Sequence, residues 1–254
     1  MASDNLIKSA SLLNDLLIYI RSKAKAGVTL QFLEDEAEKF LRMQWAKSSF
    51  LNYYWYPANL CLSVNDCVVH GMPDDTILEN GDVLKIDAGV NYKGALSDSA
   101  ITIIVWWNAK NTEGAALIKA TKEALDGGLQ YVQAGRSVYD FGFFVHNYIK
   151  SKWFTIVKNL TGHGISKTLH EEPYVYNYAE PRAKNVFFKE WQVVCLEPIT
   201  ALRSTKAVEK RNIPHNLYCD KGDIWVQREY MVEVTKHGPK ILSGITELQL
   251  TLLY

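Results

Sequence analysis

The sequence predicts an α+β fold from three observations. Helical stretches come in pairs, at the start of the chain and again in its middle, and each pair is followed by β-prone sequence. The strand-like runs are separated by short turns bearing Gly, Asn and Asp, as antiparallel pairing requires. No low-complexity segment or linker divides the 254 residues, so 1–254 reads as a single domain. The recurrence of two helices plus a β stretch points to internal duplication, although no identity between the halves is visible.

The elements follow in order. Leu6, Ala10, Leu13, Leu16, Leu17 and Ile20 make one helical stripe over 6–26, stopped by Ala26-Gly27. A second helix is expected over 29–43, capped by Thr29, with Leu30, Phe32, Leu33, Ala37 and Phe40 facing inward. Residues 61–70 then read as a strand and 71–75 as a turn. Asn80-Gly81-Asp82 opens a strand over 83–90, which 91–94 joins to a second strand over 95–105, making a hairpin. Helical spacing returns over 113–132 and 138–152, split by Ala134-Gly135-Arg136. The remainder reads as β at 173–178, 192–203, 224–235 and 240–242. Turns at Lys189-Glu190, Lys221-Gly222-Asp223 and His237-Gly238-Pro239 punctuate it.

Composition excludes several classes. With 28 basic and 28 acidic residues the net charge is zero, which argues against an electrostatic binder of nucleic acid or of a membrane surface. No apolar run reaches the length of a membrane span, and the N-terminal residues carry no basic-then-apolar leader. Cys61, Cys67, Cys195 and Cys219 form no CxxC pair, so they are expected as reduced core thiols in a cytoplasmic protein.

Chemistry concentrates in a few polar residues set in apolar sequence. Asp87 in IDAGV and Asp98 in LSDSA lie eleven positions apart on the two strands of the hairpin. A carboxylate buried there needs a partner, a metal or a proton. Downstream come Gly162-His163-Gly164, His170-Glu171-Glu172-Pro173, Glu197-Pro198 and Gln227-Arg228-Glu229. Singly, each has a plain explanation as a turn, cap or solvated charge. Together they offer carboxylate oxygen with some imidazole nitrogen, the donor set of hard or borderline divalent ions. Four carboxylates and one histidine nearly neutralise two such ions, and a metal pair binds and activates a water while polarising a carbonyl.

The run SVNDCVVHGMPD at 63–74, the aspartate pair, GHGISKTLHEEP, LEP and QREYMVEVT resemble the methionine aminopeptidases in the same order and at nearly the same spacing. The resemblance covers about 6–242. It implies a pseudo-symmetric pita-bread fold, a curved antiparallel sheet backed by helices. It places two divalent metal ions (Co, Mn, Fe or Zn) on Asp87, Asp98, His163, Glu197 and Glu229. Glu197 is also the implied general base, and His70 and His170 are implied to contact the scissile amide and the developing oxyanion. Tyr53, Tyr56 and Leu169, with Phe50 nearby, match the wall around the methionine side chain. The implied partner is the N-terminal peptide of nascent proteins. The ribosome is a further candidate that no basic tail announces, and monomer is the family default.

The chain departs from the pattern at Val69, Thr161, Leu169 and Tyr230, where relatives usually carry cysteine, cysteine, phenylalanine and histidine. The segment 203–224 is least alike, and a tryptophan usual on that loop has no clear match. The 32 residues from Glu197 to Glu229 are too few for the helical insertion of type II enzymes, so the chain resembles the short type I form. The alternatives are a proline-specific aminopeptidase or dipeptidase of the same fold, and a non-catalytic binding protein on this scaffold.

Overall fold

A computed structural model describes residues 1–105, 111–210, 213–219 and 222–245. Asn212 of the divergent segment, the expected turn residue Lys221 and the end of the expected domain at 246–254 lie outside them. Two helix pairs back a set of antiparallel sheets. The first pair is α1 (Asp4–Lys23) and α2 (Leu30–Met43). Thr29 caps α2 as expected, its hydroxyl accepting the Phe32 N–H at 3.1 Å. Leu13, Leu16, Leu17 and Ile20 of α1 and Leu33, Ala37 and Leu41 of α2 bury against Leu60, Leu62, Ile86 and Ala88 of the strands. Phe32, expected inward, is 37% exposed. It sits one position, hence about 100°, off the stripe carried by its neighbour Leu33.

The first sheet contains β1 (Lys47–Ser48), β2 (Leu60–Val64), β4 (Val83–Tyr92) and β5 (Ala95–Ile104). The expected 61–70 strand is two strands, β2 and β3 (Cys67–Val69). Asn65 breaks it at φ 48. The Asn65 side chain accepts the Val83 N–H at 2.9 Å and donates to Asp82 at 2.8 Å, so it serves the turn rather than a ladder. β4 and β5 pair continuously from Val83↔Ile104 to Tyr92↔Ala95 with no register shift. Lys93-Gly94 joins them with φ 52 and 86, the two-residue turn whose twist suits a hairpin.

The second helix pair is α3 (Thr112–Gly128), extended by a 3-10 turn at Leu129–Tyr131, and α4 (Val138–Ser151). Its core joins Ala124, Leu125, Phe141, Val145 and Ile149 to Val194, Leu196, Val232 and Val234. After α4 come β6 (Thr155–Ile156), β7 (Gly162–Gly164), β8 (Glu171–Val175), β9 (Val193–Leu196) and β10 (Ile199–Ala201). Then follow β11 (Ala207–Lys210), β12 (Ile213–Cys219), β13 (Trp225–Gln227), β14 (Tyr230–Thr235) and β15 (Gly238–Ser243). They form sheets ordered β15-β14-β9-β7-β8, β13-β10-β6 and β11-β12-β3.

Two expected strands, 192–203 and 224–235, are each split between sheets. The chain leaves β9 for β10 at Glu197-Pro198, and β13 for β14 at Arg228-Glu229. Proline cannot donate to a ladder, which favours a break there. The strand expected over 173–178 is β8, shifted toward the N-terminus, and β7 was not foreseen. β7 fits between its neighbours because it is glycine-flanked: a Cβ on Gly162 would lie 2.3 Å from the Cys195 carbonyl oxygen, and one on Gly164 2.4 Å from that of Glu172.

The halves are laced together along β5. Ser99 Oγ donates to the Glu229 carbonyl at 2.7 Å, and the Glu229 N–H donates to Ala100 at 3.0 Å. Thr102 Oγ1 donates to the Gln227 carbonyl at 2.7 Å, and Ser243 Oγ to that of Asp98 at 2.9 Å. No described helix is long and apolar enough to cross a membrane.

Candidate metal centre

The ladder register explains how Asp87 and Asp98 meet. Asp87 and Gly89 point to one face of β4, and Gly89 pairs with Asp98 on β5. Both carboxylates therefore occupy the same face as diagonal neighbours. His163 enters from β7, whose partner residue is Cys195 on β9. Glu197 and Glu229 stand at the two sheet-switch points, where no ladder claims the backbone direction.

The structure brings all five residues together. His163 Nε2 lies 3.8 Å from Asp98 Oδ2 and 3.9 Å from Glu229 Oε1. Ligand atoms of Asp98, His163, Cys195 and Glu229 lie within 4.8 Å of one another, as do those of Asp87, Glu197 and Glu229. Glu229 belongs to both groups, so two adjoining positions share one carboxylate. Cys195 adds little as a ligand, because burial holds its thiol pKa well above the ordinary value. His163 Nδ1 bonds the Gly164 carbonyl at 3.0 Å. That contact assigns the proton to Nδ1 and turns the Nε2 lone pair toward the carboxylates.

Charge and hydrogen-bond accounting both call for cations. Asp87, Asp98 and Glu229 are buried, and Asp87 Oδ1, Asp98 Oδ1 and Glu229 Oε1 have no hydrogen-bond partner among the described residues. Burial pushes the carboxyls of Asp87, Asp98, Glu197 and Glu229 upward. The negative charge of neighbouring carboxylates adds to this at Asp98, Glu197 and Glu229. Acids packed this closely cannot all ionise unless positive charge joins them. A carboxylate-rich set with one imidazole and unpartnered oxygens fits divalent ions.

Gln227 is the residue that sequence reasoning passed over. It is buried, and its Nε2 donates to Asp87 Oδ2 at 2.9 Å and to Glu197 Oε1 at 2.6 Å. It thereby orients two acids contributed by different halves. Its position two residues before Glu229 on an extended segment was the available signal.

A cavity of about 500 Å³ opens onto these residues. His70, His170, Tyr53, Tyr56 and Leu169 all line it, beside the acids. The His163 and His170 rings meet edge to face at 4.3 Å, and Tyr53 packs on His170 at 5.2 Å. His70 ends β3 at φ 58. Burial, followed by the nearby His170, lowers the pKa of His70 to about 4 and of His163 to about 3; burial alone lowers that of His170. These imidazoles are neutral near pH 7, each with one donor and one acceptor. Phe50, Tyr53, Tyr56, Cys61 and Leu169 make the apolar end of the cavity and belong to one hydrophobic cluster. Tyr56 directs its hydroxyl away, to the carbonyls of Leu60 at 2.9 Å and Gly71 at 3.0 Å. Cys61 and His215 complete this wall and were not foreseen there.

Comparison with known proteins agrees with this geometry. The methionine aminopeptidase of Mycoplasma capricolum subsp. capricolum is 34% identical over 226 residues, 88% of each chain. That of Aquifex aeolicus is 32% identical over 246 residues, 94% of each. The crystal structure of methionine aminopeptidase from Rickettsia prowazekii superposes with a TM-score of 0.89 at 27% identity, covering 94% of this chain and 95% of that one. Prolidase from Pyrococcus furiosus superposes at 0.74 with 20% identity and only 64% of its own length, a likeness of fold alone. The fold is the α+β pita-bread shared with the methionine aminopeptidase structures. A model of metallopeptidase family M24 matches residues 4–236, and the chain belongs to that family.

Proposed function

We propose that the protein is a methionine aminopeptidase of the short type I form, removing N-terminal methionine from nascent proteins and peptides. The observation that carries this reading is the adjacency of a carboxylate-rich, imidazole-bearing cluster to an apolar slot in one cavity. Asp87, Asp98, His163, Glu197 and Glu229 would hold two divalent ions, drawn from Co, Mn, Fe or Zn. Glu229, which belongs to both groups of ligand atoms, would serve both ions, and the family resemblance gives Asp98 the same part. Two divalent ions held there would supply an activated water and a Lewis acid for the scissile carbonyl.

The chain's own groups do the rest. Glu197 accepts the proton of the attacking water at its carboxylate and passes it to the leaving amine, while Gln227 holds that carboxylate in place. His170 donates to the developing oxyanion. His70 contacts the scissile amide. Tyr53, Tyr56 and Leu169 enclose the methionine side chain, a flexible thioether suited to such a slot. The whole of 1–254 acts as one catalytic domain, a cytoplasmic monomer in this reading, with the ribosome as a candidate partner.

Hydrolysis of Met-Ala-Lys and Ala-Pro-Lys, with and without chelator and across added metals, tests the proposal. Methionine release that chelator abolishes and a divalent ion restores is the expected result. Release of alanine from Ala-Pro-Lys instead would assign the proline-specific activity. Failure to bind metal or to cleave either peptide would leave a binding protein on this scaffold.

A further inference from the structure

The divergent segment, in which the tryptophan usual on that loop has no clear match, puts an imidazole on the cavity wall. β12 pairs with β11 at Glu209↔Leu217 and at Lys210↔Ile213, so residues 214–216 have no partner on β11. His215 stands in this bulge at φ 70. A non-glycine residue persists in that conformation only where its surroundings hold it, and such residues gather at ligand sites. Asn216, buried beside it, supplies the hold. Its Oδ1 accepts the Met72 N–H at 2.9 Å and its Nδ2 donates to the Tyr218 hydroxyl at 3.1 Å, tying the bulge to the chain just past His70.

The His215 ring meets Tyr56 at 5.7 Å and 86°, and it lines the cavity. Its ring nitrogens have no hydrogen-bond partner among the described residues. The Tyr56 hydroxyl beside it is already committed to two carbonyls. An imidazole with an uncommitted N–H therefore borders a slot whose other walls are Phe50, Tyr53, Tyr56, Cys61 and Leu169.

We propose that His215 reads the heteroatom of the substrate's first side chain, its imidazole N–H donating to the thioether sulfur. The inference rests on the aminopeptidase reading above and deepens it. Most walls of the slot select by shape, which a methylene satisfies as well as a sulfur. A donor left without an acceptor costs free energy, so it discriminates between them. Norleucine is the probe, since it replaces the sulfur with a methylene at nearly the same volume. Thioether sulfur is a weak acceptor, so the preference is modest.

The test compares Met-Ala-Lys with norleucyl-Ala-Lys for the wild type, His215→Phe, His215→Leu and His215→Gln. Calorimetry of L-methionine and L-norleucine gives the same comparison without turnover. The expected wild-type preference for methionine is about three- to tenfold in kcat/KM and in binding. His215→Phe and His215→Leu bring the methionyl-to-norleucyl ratio of kcat/KM and of binding close to one, whatever their absolute turnover, and His215→Gln, which keeps a donor, retains part of the preference. His215→Leu serves if His215→Phe fails to fold. An unchanged methionine-to-norleucine ratio in the apolar variants overturns the inference. If the wild type cleaves neither peptide, the aminopeptidase reading falls, and the binding ratio still decides the role of His215.

Discussion

The hairpin β4–β5 and the strands β9 to β14 deliver acids to the same cavity by opposite means. The hairpin is one uninterrupted ladder, and Asp87 and Asp98 share a face because of its register. The later strands are short and divided between sheets, and Glu197 and Glu229 stand where the chain crosses from one sheet to another. The first arrangement is local, set by a two-residue turn. The second exists only when two sheets are already packed, with β5 hydrogen-bonded to the β13–β14 crossing at Gln227 and Glu229. The site is thus rigid on one side and dependent on assembly on the other.

Removing an acid from each side is the strongest way to break this comparison. Asp98→Ala and Glu197→Gln should each lower methionine release by roughly a thousandfold or more if the proposed roles hold, as metal ligands and, for Glu197, as proton acceptor. Circular dichroism should show both variants folded. Near-normal turnover by Asp98→Ala would remove the hairpin from the site.

Withdrawal of metal should expose the electrostatic strain that both sides share. Burial raises the Asp87 carboxyl from 3.8 to about 7. A group raised in the folded state contributes its stability fully below its unfolded pKa and loses it as pH climbs through the folded value. Chelator-treated protein should therefore lose stability between about pH 4 and pH 7, by up to about 1.4 kcal/mol for each pH unit crossed. A saturating divalent ion should flatten or reverse the trend in thermal melts. Equal slopes with and without metal would argue that these acids are not its ligands.

Gln227→Leu sharpens the comparison, because Gln227 bonds an acid from each side. Metal affinity measured by calorimetry should fall about ten- to a hundredfold, as for other residues that orient ligands. Ser99→Ala has the smallest expected effect. It removes the bond to the Glu229 carbonyl and should cost about 1 kcal/mol in denaturant unfolding. An effect on turnover larger than on stability would show that the seam positions Glu229 as well as supporting it.

Legibility followed the same division. The α1 stripe, the Thr29 cap and the β4–β5 hairpin were readable because propensity, periodicity and turn chemistry act within a few residues. The breaks within 61–70, 192–203 and 224–235 were not, because apolar sequence continues across them and only sheet packing decides where a ladder ends. β7 carries no strand signal in Gly162-His163-Gly164; its glycines matter for how closely the backbones of Cys195 and Glu172 approach. Of the cavity, His70, His170, Tyr53, Tyr56 and Leu169 were proposed from motif resemblance, and the structure places them around one space. Gln227 and His215 escaped notice, since an amide's or a bulged residue's partners lie far away in sequence.

By itself the chain determined which residues are able to carry charge into an apolar interior, which helices form, and that Asp87 and Asp98 lie on paired strands. These are consequences of side-chain chemistry and short-range backbone preference. Motif resemblance also named His163, Glu197 and Glu229; tertiary structure decided how they converge, that Gln227 joins them, and that a bulge tethered through Asn216 turns His215 onto the cavity wall. Those contacts reach across 30 to 144 residues of sequence, as in the bonds from Gln227 to Glu197 and from Met72 to Asn216. Contacts at that range are set by the packing of sheets against one another, which no local pattern encodes.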